Sequence, residues 1–166
     1  MAAPQAPQKT QHHELLDSFV GKFRAEVTVW FGNDQSHTST GTMVNTFHLE
    51  GLYLHQDYNG DAPAEGGPTF LGKGYWGYNT TTEQFEGFWI DNASTTMQLE
   101  KGTVDDSGTT WTMLSQFIVP GQGVPMDRRT VITLIDEDHH SMETYVTPPG
   151  QMELKNMEIR YSRIHD

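Results

Sequence analysis

The sequence predicts an all-β domain, an up-and-down antiparallel β-barrel of about eight to ten strands with one short N-terminal helix. Three observations carry this expectation. Apolar residues recur with period two from Lys22 onward, the spacing of a strand with one buried face. Turn residues interrupt that pattern at short, near-regular intervals, and no helical stretch between them could serve as a crossover to a parallel strand. A chain of 166 residues without cysteine fits one domain with an adequate core and no disulfide framework.

The elements follow in order. Residues 1–11 are rich in Ala, Pro and Gln, supply little to bury, and read as a disordered lead-in; residues 12–166 form the barrel domain. Leu15, Leu16, Phe19 and Val20 make one apolar stripe ending at Gly21, which predicts a helix over 12–20 closed by a glycine cap. Phe23, Ala25, Val27, Val29 and Phe31 then alternate with polar positions as the first strand, and Gly32-Asn33-Asp34 turns it. The second strand, 38–49, holds Gly41, where a bulge would bend a barrel wall.

Glu50-Gly51 is a two-residue connection to a third strand, 52–58. That register sets Phe47 opposite Leu54 and Asn45 opposite Gln56 on one face, with Thr46, His48, Tyr53 and His55 on the other. Residues 59–68 are too rich in Gly and Pro for a strand and form a loop able to overhang a barrel mouth. Further strands are expected at 69–78, 84–91, 95–104, 109–119, 128–136, 140–147 and 152–164. The breaks include Asp105-Asp106-Ser107-Gly108, Pro120 to Pro125, Asp136-Glu137-Asp138 and Pro148-Pro149-Gly150. Closing such a sheet removes both aggregation-prone edges and leaves interior room for a small ligand.

The net charge of −12 repels phosphate backbones and anionic membrane surfaces, so neither nucleic acid nor membrane is an expected partner. No apolar run approaches the roughly 20 residues of a membrane helix, and the N-terminus lacks a signal-peptide pattern. A cytoplasmic location is expected, or a periplasmic one if a leader has been removed.

Several stretches together resemble a known family: LDSFVGKF at 16–23, GLYLHQDY at 51–58, GKGYWGYN at 72–79, WIDNAST at 89–95, Arg129, and MEIRYSR at 157–163. The chain is similar to the domain-of-unknown-function family 1579, which is placed among the calycin or lipocalin-like barrels. The resemblance implies a barrel with a cavity and no known activity. Where that family favours Gly-x-Trp on its first strand, this chain has Gly21-Lys22-Phe23, and Phe23 can cover the stem of Arg163.

The constellation of most interest is Trp89, Asp91, Arg129, Tyr145 and Glu158. Trp89 and Asp91 lie two apart and share a strand face; the others come from late strands that could curve round to meet them. Facing inward, they would set polar anchors on an apolar wall, the usual composition of a small-molecule site; otherwise they form a satisfied ion-pair network or a solvated surface. Phe47 and Tyr58 would add apolar contact. Alternation leaves the orientation of the 84–91 strand open, with aromatic residues at 85, 88 and 89; the face holding Phe85, Gly87, Trp89 and Asp91 is taken as inward because the family-like stretch WIDNAST includes both Trp89 and Asp91.

His48 and His55 are the candidate metal ligands, diagonal neighbours that Asp57 could join, although no clustered histidine motif accompanies them and no metal is expected. Asp136 to His140 reads as a solvated hairpin turn. Gly72-Lys73-Gly74-Tyr75-Trp76-Gly77 lacks the βαβ frame of a dinucleotide site; its glycines would instead let the wall curve, or let large side chains of the neighbouring strand lie against it. No cofactor is expected.

Three functions remain open. The first is binding of a small, partly apolar ligand inside the barrel. The second is a cofactor-independent isomerase, cyclase or hydrolase using Asp91 or Glu158 as base, with Arg129 or Tyr145 stabilising charge. The third is a structural or interaction module without a ligand.

Overall fold

Period-two patterning is realised as ten antiparallel strands that close on themselves: β1 (Gly21–Phe31), β2 (Gln35–His48), β3 (Tyr53–Gly60), β4 (Leu71–Asn79), β5 (Gln84–Asp91), β6 (Gln98–Val104), β7 (Thr110–Ile118), β8 (Pro125–Leu134), β9 (His139–Thr147) and β10 (Leu154–Arg163). Each pairs with its sequence neighbours, and β1 pairs with β10 to complete the barrel. The computed structural model describes residues 3, 5–32, 34–119 and 121–166; parts of the expected lead-in, of the turn at Asn33 and of the break at Pro120 lie outside them. No helix among the described residues is long and apolar enough to cross a membrane.

The β2–β3 register is the one read from the sequence, with Phe47 opposite Leu54, Asn45 opposite Gln56 and His48 opposite Tyr53. A short 3-10 turn at Leu49–Gly51 joins the strands, and Leu49, Glu50 and Gly51 all take positive φ to fit it. Gly41 does not mark a bulge: it pairs in register with Ala25 and Gly60. A Cβ there would lie 2.4 Å from the Tyr58 hydroxyl, so the missing side chain makes room for an interior tyrosine. The irregularity falls on β10 instead, between Lys155 and Met157.

The helix is also shorter than its apolar stripe suggests. Only Gln11–Glu14 is α-helical (α1), and Leu15–Phe19 tightens into a 3-10 turn. Gly21 opens β1 rather than capping the helix. It takes φ +133°, and a Cβ would fall 2.4 Å from Arg163 Nη1. That guanidinium sits 4.6 Å over the Phe23 ring and donates to the carbonyls of Val20 (2.6 Å) and Ser18 (3.0 Å). Phe23 and Arg163 thus stitch the helical turn to both ends of the sheet.

This segment closes one end of the barrel. Leu16 and Phe19 are fully buried among Leu54, Trp76, Phe85, Trp111, Met113 and Ile132, and Asn45 Nδ2 donates to the Phe19 carbonyl at 2.9 Å. Each such side chain contributes about 1.5–3 kcal/mol on leaving water, so this end is the stable floor. A second cluster, Phe23, Ala25, Met43, Tyr58, Ile159 and Tyr161, fills the β1–β10 side. His140 is buried between them, stacked on Tyr161 at 4.3 Å with Phe19 and Phe23 edge-on; burial pushes its pKa down to about 3.

Candidate ligand site in the upper barrel

Away from the floor the interior changes character. The inward positions of the upper strands, among them Gln56, Trp89, Asp91, Gln98, Glu100, Ser115, Phe117 and Arg128, keep partial exposure although they point into the barrel. Thr130 and Thr144 beneath them are buried. Polar groups and aromatic faces therefore share a wall that is not packed shut, the composition expected of a small-molecule site.

Trp89 is positioned by its neighbours on β4. It pairs with Gly74, and Asp91 pairs with Gly72. A Cβ on Gly72 would lie 2.0 Å from Trp89 Cζ2, and one on Gly74 3.0 Å from Trp89 Cε3. The glycines of the GKGYWG stretch are thus the bed on which the indole lies. Trp89 Nε1 donates to Asp91 Oδ2 at 3.0 Å, and Asp91 Oδ1 accepts from the Ala93 and Ser94 amides. The indole's hydrogen bond is used within the protein, so its apolar face is what remains to offer.

The polar heart of the site is Glu100 on β6 with Arg128 and Thr130 on β8. Arg128 Nε donates to Ser115 Oγ at 3.1 Å, and its guanidinium stands 5.5 Å from the Phe117 ring. Burial lowers its pKa, partly opposed by the charge of Glu100. Burial likewise raises the Glu100 pKa, against the opposing pull of Arg128 and a hydrogen bond from Thr130. Deeper in, Thr144 Oγ1 donates to Asn156 Oδ1 at 2.7 Å.

Of the residues expected to form the site, Trp89 and Asp91 face inward together, Tyr58 is buried in the second core cluster, and Phe47 packs against the floor. Arg129, Tyr145 and Glu158 do not join them, which corrects their expected inward placement. Thr130 and Ile132 are buried on β8, so alternation turns Arg129 outward, where it pairs with Glu153 at 2.6 Å and lies 4.2 Å over the Tyr145 ring. Tyr145 donates to Glu143 on that outer face. Glu158 binds Lys155 and Arg160 and lines a shallow external depression with Glu26, Thr28 and Trp30. The Arg129–Glu153 pair, open to solvent, contributes little stability.

The outer face also holds the histidine pair. His48 and His55 stack at 4.6 Å, and His48 Nδ1 meets the Tyr75 hydroxyl at 2.9 Å. Asp57 turns instead to Lys73 at 2.7 Å. Burial and the nearby His48 lower the His55 pKa. No group of three or more potential metal ligands converges among the described residues. The Asp136–His140 segment is a hairpin turn in which Asp136 accepts from His139 at 2.7 Å.

Glu100 and Arg128 escaped the sequence reading. On β6 the apolar Leu99 is 67% exposed while Glu100 points inward, the reverse of what hydrophobic patterning predicts. The usable signal was Gly102 and Val104, whose parity Glu100 shares.

A closed ten-stranded meander, plugged by a helical turn at one end and polar inside at the other, defines a lipocalin-like barrel. The chain belongs to the family described as a protein of unknown function, DUF1579, whose profile matches residues 8–163. No curated protein matches the sequence. Among solved structures, Rv2717c from M. tuberculosis is similar, with a TM-score of 0.67 at 15% identity, covering 95% of this chain and 100% of that one. The S-type phycobiliprotein lyase CPES from Guillardia theta gives a TM-score of 0.63 at 12% identity, covering 96% and 99%. At these identities the likeness is one of fold.

Proposed function

We propose that this barrel binds a small, partly apolar molecule in its upper half. The observation that carries the reading is the contrast within one interior: a floor of buried aromatics, and above it half-open walls that set Trp89 beside enclosed polar groups. An apolar body would lie along the indole face and Phe117, and the enclosed polar groups would orient it. The likeness to a phycobiliprotein lyase is compatible with a barrel that handles an organic ligand.

A neutral fluorescent probe, 1-pyrenebutanoic acid methyl ester, tests this by titration. It should bind saturably and quench tryptophan emission. Trp89→Phe should weaken binding by roughly 1 kcal/mol, about fivefold, with the fold kept, because a smaller ring still fills most of the space. Unchanged affinity in that variant contradicts the reading.

The enzyme alternative gains one specific support. Glu100 is a carboxyl with a pKa raised by burial beside a cation, the environment of a general base. Turnover of a bound compound, abolished by Glu100→Gln, would favour it over simple binding.

A further inference from the structure

The arginines of this chain are not treated alike. Arg24, Arg129, Arg160 and Arg163 each form an ion pair with a carboxylate. Arg128 is the one arginine in the upper interior, and among the described residues it has no such contact. Its single side-chain hydrogen bond there runs from Nε to Ser115 Oγ. That bond and the flanking Phe117 ring orient the guanidinium, and its Nη edge has no acceptor among the described residues.

An enclosed cation without a counter-ion is costly, and the protein does not supply one in full. Glu100 faces Arg128 without a direct ion pair, and burial drives its carboxyl toward the neutral form. Among the described residues, the buried polar side-chain atoms without any partner are Asn45 Oδ1, Trp76 Nε1 and Trp111 Nε1, all deeper in the core. Arg128 and Glu100 both keep partial exposure although they point inward, so space within the barrel adjoins them.

We propose that the ligand of the upper barrel is a carboxylic acid with an apolar body, its carboxylate held on the Nη edge of Arg128 beside Glu100. The proposal rests on the binding reading above and names the chemistry of its ligand. A guanidinium edge presents two parallel donors that match a carboxylate. Burial shifts Glu100 toward its neutral form, the form able to donate a further hydrogen bond to the same group. The groups facing Glu100 are Arg128 and Thr130 from β8 and the bare backbone of Gly87 from β5, where a Cβ would stand 3.4 Å from Glu100 Oε1. Asp91, higher on β5, is engaged by Trp89 and the loop amides. The Arg128 cation suits a monoanion, and the Trp89 and Phe117 faces lie beside its apolar part.

The test compares 1-pyrenebutanoic acid with its methyl ester by fluorescence titration. Wild-type protein should bind the acid roughly tenfold more tightly than the ester. Arg128→Met should abolish the preference for the acid over the ester, and Glu100→Gln, which still donates, should keep it. Arg129→Met, on the outer face, should change neither affinity. Equal wild-type affinities for acid and ester overturn the carboxylate assignment and leave the binding reading standing. Absence of binding by both probes overturns the two together. If Arg128→Met does not fold, Arg128→Lys serves, since a retained charge without the fork should still lose most of the acid preference; full retention contradicts the assignment.

Discussion

At the scale of single residues, the interior titratable groups govern how the barrel responds to acid. His140 is held neutral among Phe19, Phe23 and Tyr161, with its pKa pushed down to about 3 by burial. Between about pH 6.5 and pH 3 the unfolded chain binds a proton at this site that the folded barrel refuses. Stability from this residue therefore falls as pH drops through that window, by about 1.4 kcal/mol per pH unit. Burial lowers the pKa of His13 as well, which adds in the same direction. Glu100 acts oppositely: its raised pKa means the folded state keeps a proton that the unfolded chain releases, so its contribution is lost as pH rises. His140→Phe should flatten the acid limb of a plot of urea midpoint against pH. An acid limb as steep as that of the wild type would show that His140 does not carry it.

At the scale of elements, glycines set what each wall can hold, and two of them separate site from scaffold. A Cβ on Gly72 meets the far end of the Trp89 indole, a side chain that can swing away. A Cβ on Gly102 would lie 1.9 Å from the Thr112 carbonyl oxygen, backbone of the paired strand β7. Gly72→Ala should thus leave the fold nearly intact and weaken probe binding several-fold by displacing Trp89. Gly102→Ala should destabilise the protein by roughly 1–3 kcal/mol through the β6–β7 pairing. Thermal melts and probe titrations on both variants distinguish the two effects; equal loss of stability in both would contradict the distinction.

Strand parity explains what the sequence made legible. The Glu50-Gly51 connection and the residues flanking it allowed the β2–β3 register to be read pair by pair. On β5, aromatic residues at 85, 88 and 89 fall on both parities, so the inward face of Trp89 and Asp91 rests on the family-like stretch WIDNAST rather than on alternation. On β8 the run Asp127-Arg128-Arg129-Thr130 is polar on both parities, and Val131 and Ile132 are apolar on both. Periodicity alone could not choose Arg128 over Arg129 there. Glu100 was hidden for a stronger reason, since β6 exposes Leu99 and encloses a carboxyl. Patterning reports the cheapest arrangement, and a site departs from it where chemistry requires a charge inside. Gly41 and Gly21 were recognised as special, but their partners, Tyr58 and Arg163, are distant in sequence and no local rule could name them.

At the scale of the whole molecule, the account is of two halves with different tasks. The floor, sealed by Leu16 and Phe19 over Trp76, Phe85 and Trp111, supplies stability. The upper half keeps Trp89, Glu100 and Arg128 on walls that stay partly open, and the loop following β3 is tethered beside it, since Asp61 binds Arg24 and Thr40. Phe70 at the end of that loop packs edge-on against Tyr58 at 5.8 Å, which couples the rim to the interior. The division also accounts for the outer surface, where Arg129, Tyr145 and Glu158 form ion pairs and contacts that need no ligand.

The central claim is that ligand enters the upper half of the barrel interior, and amide chemical-shift mapping during titration with 1-pyrenebutanoic acid tests it most directly. The shifts should concentrate at Gly72, Gly74, Gly87, Trp89 with its indole N–H, Glu100, Ser115 and Arg128. The floor around Leu16, Phe19 and Trp111, and the outer stack of His48, His55 and Tyr75, should stay still. Saturable shifts confined to that outer stack or to the Glu158 depression, with the upper interior unmoved, would contradict the account.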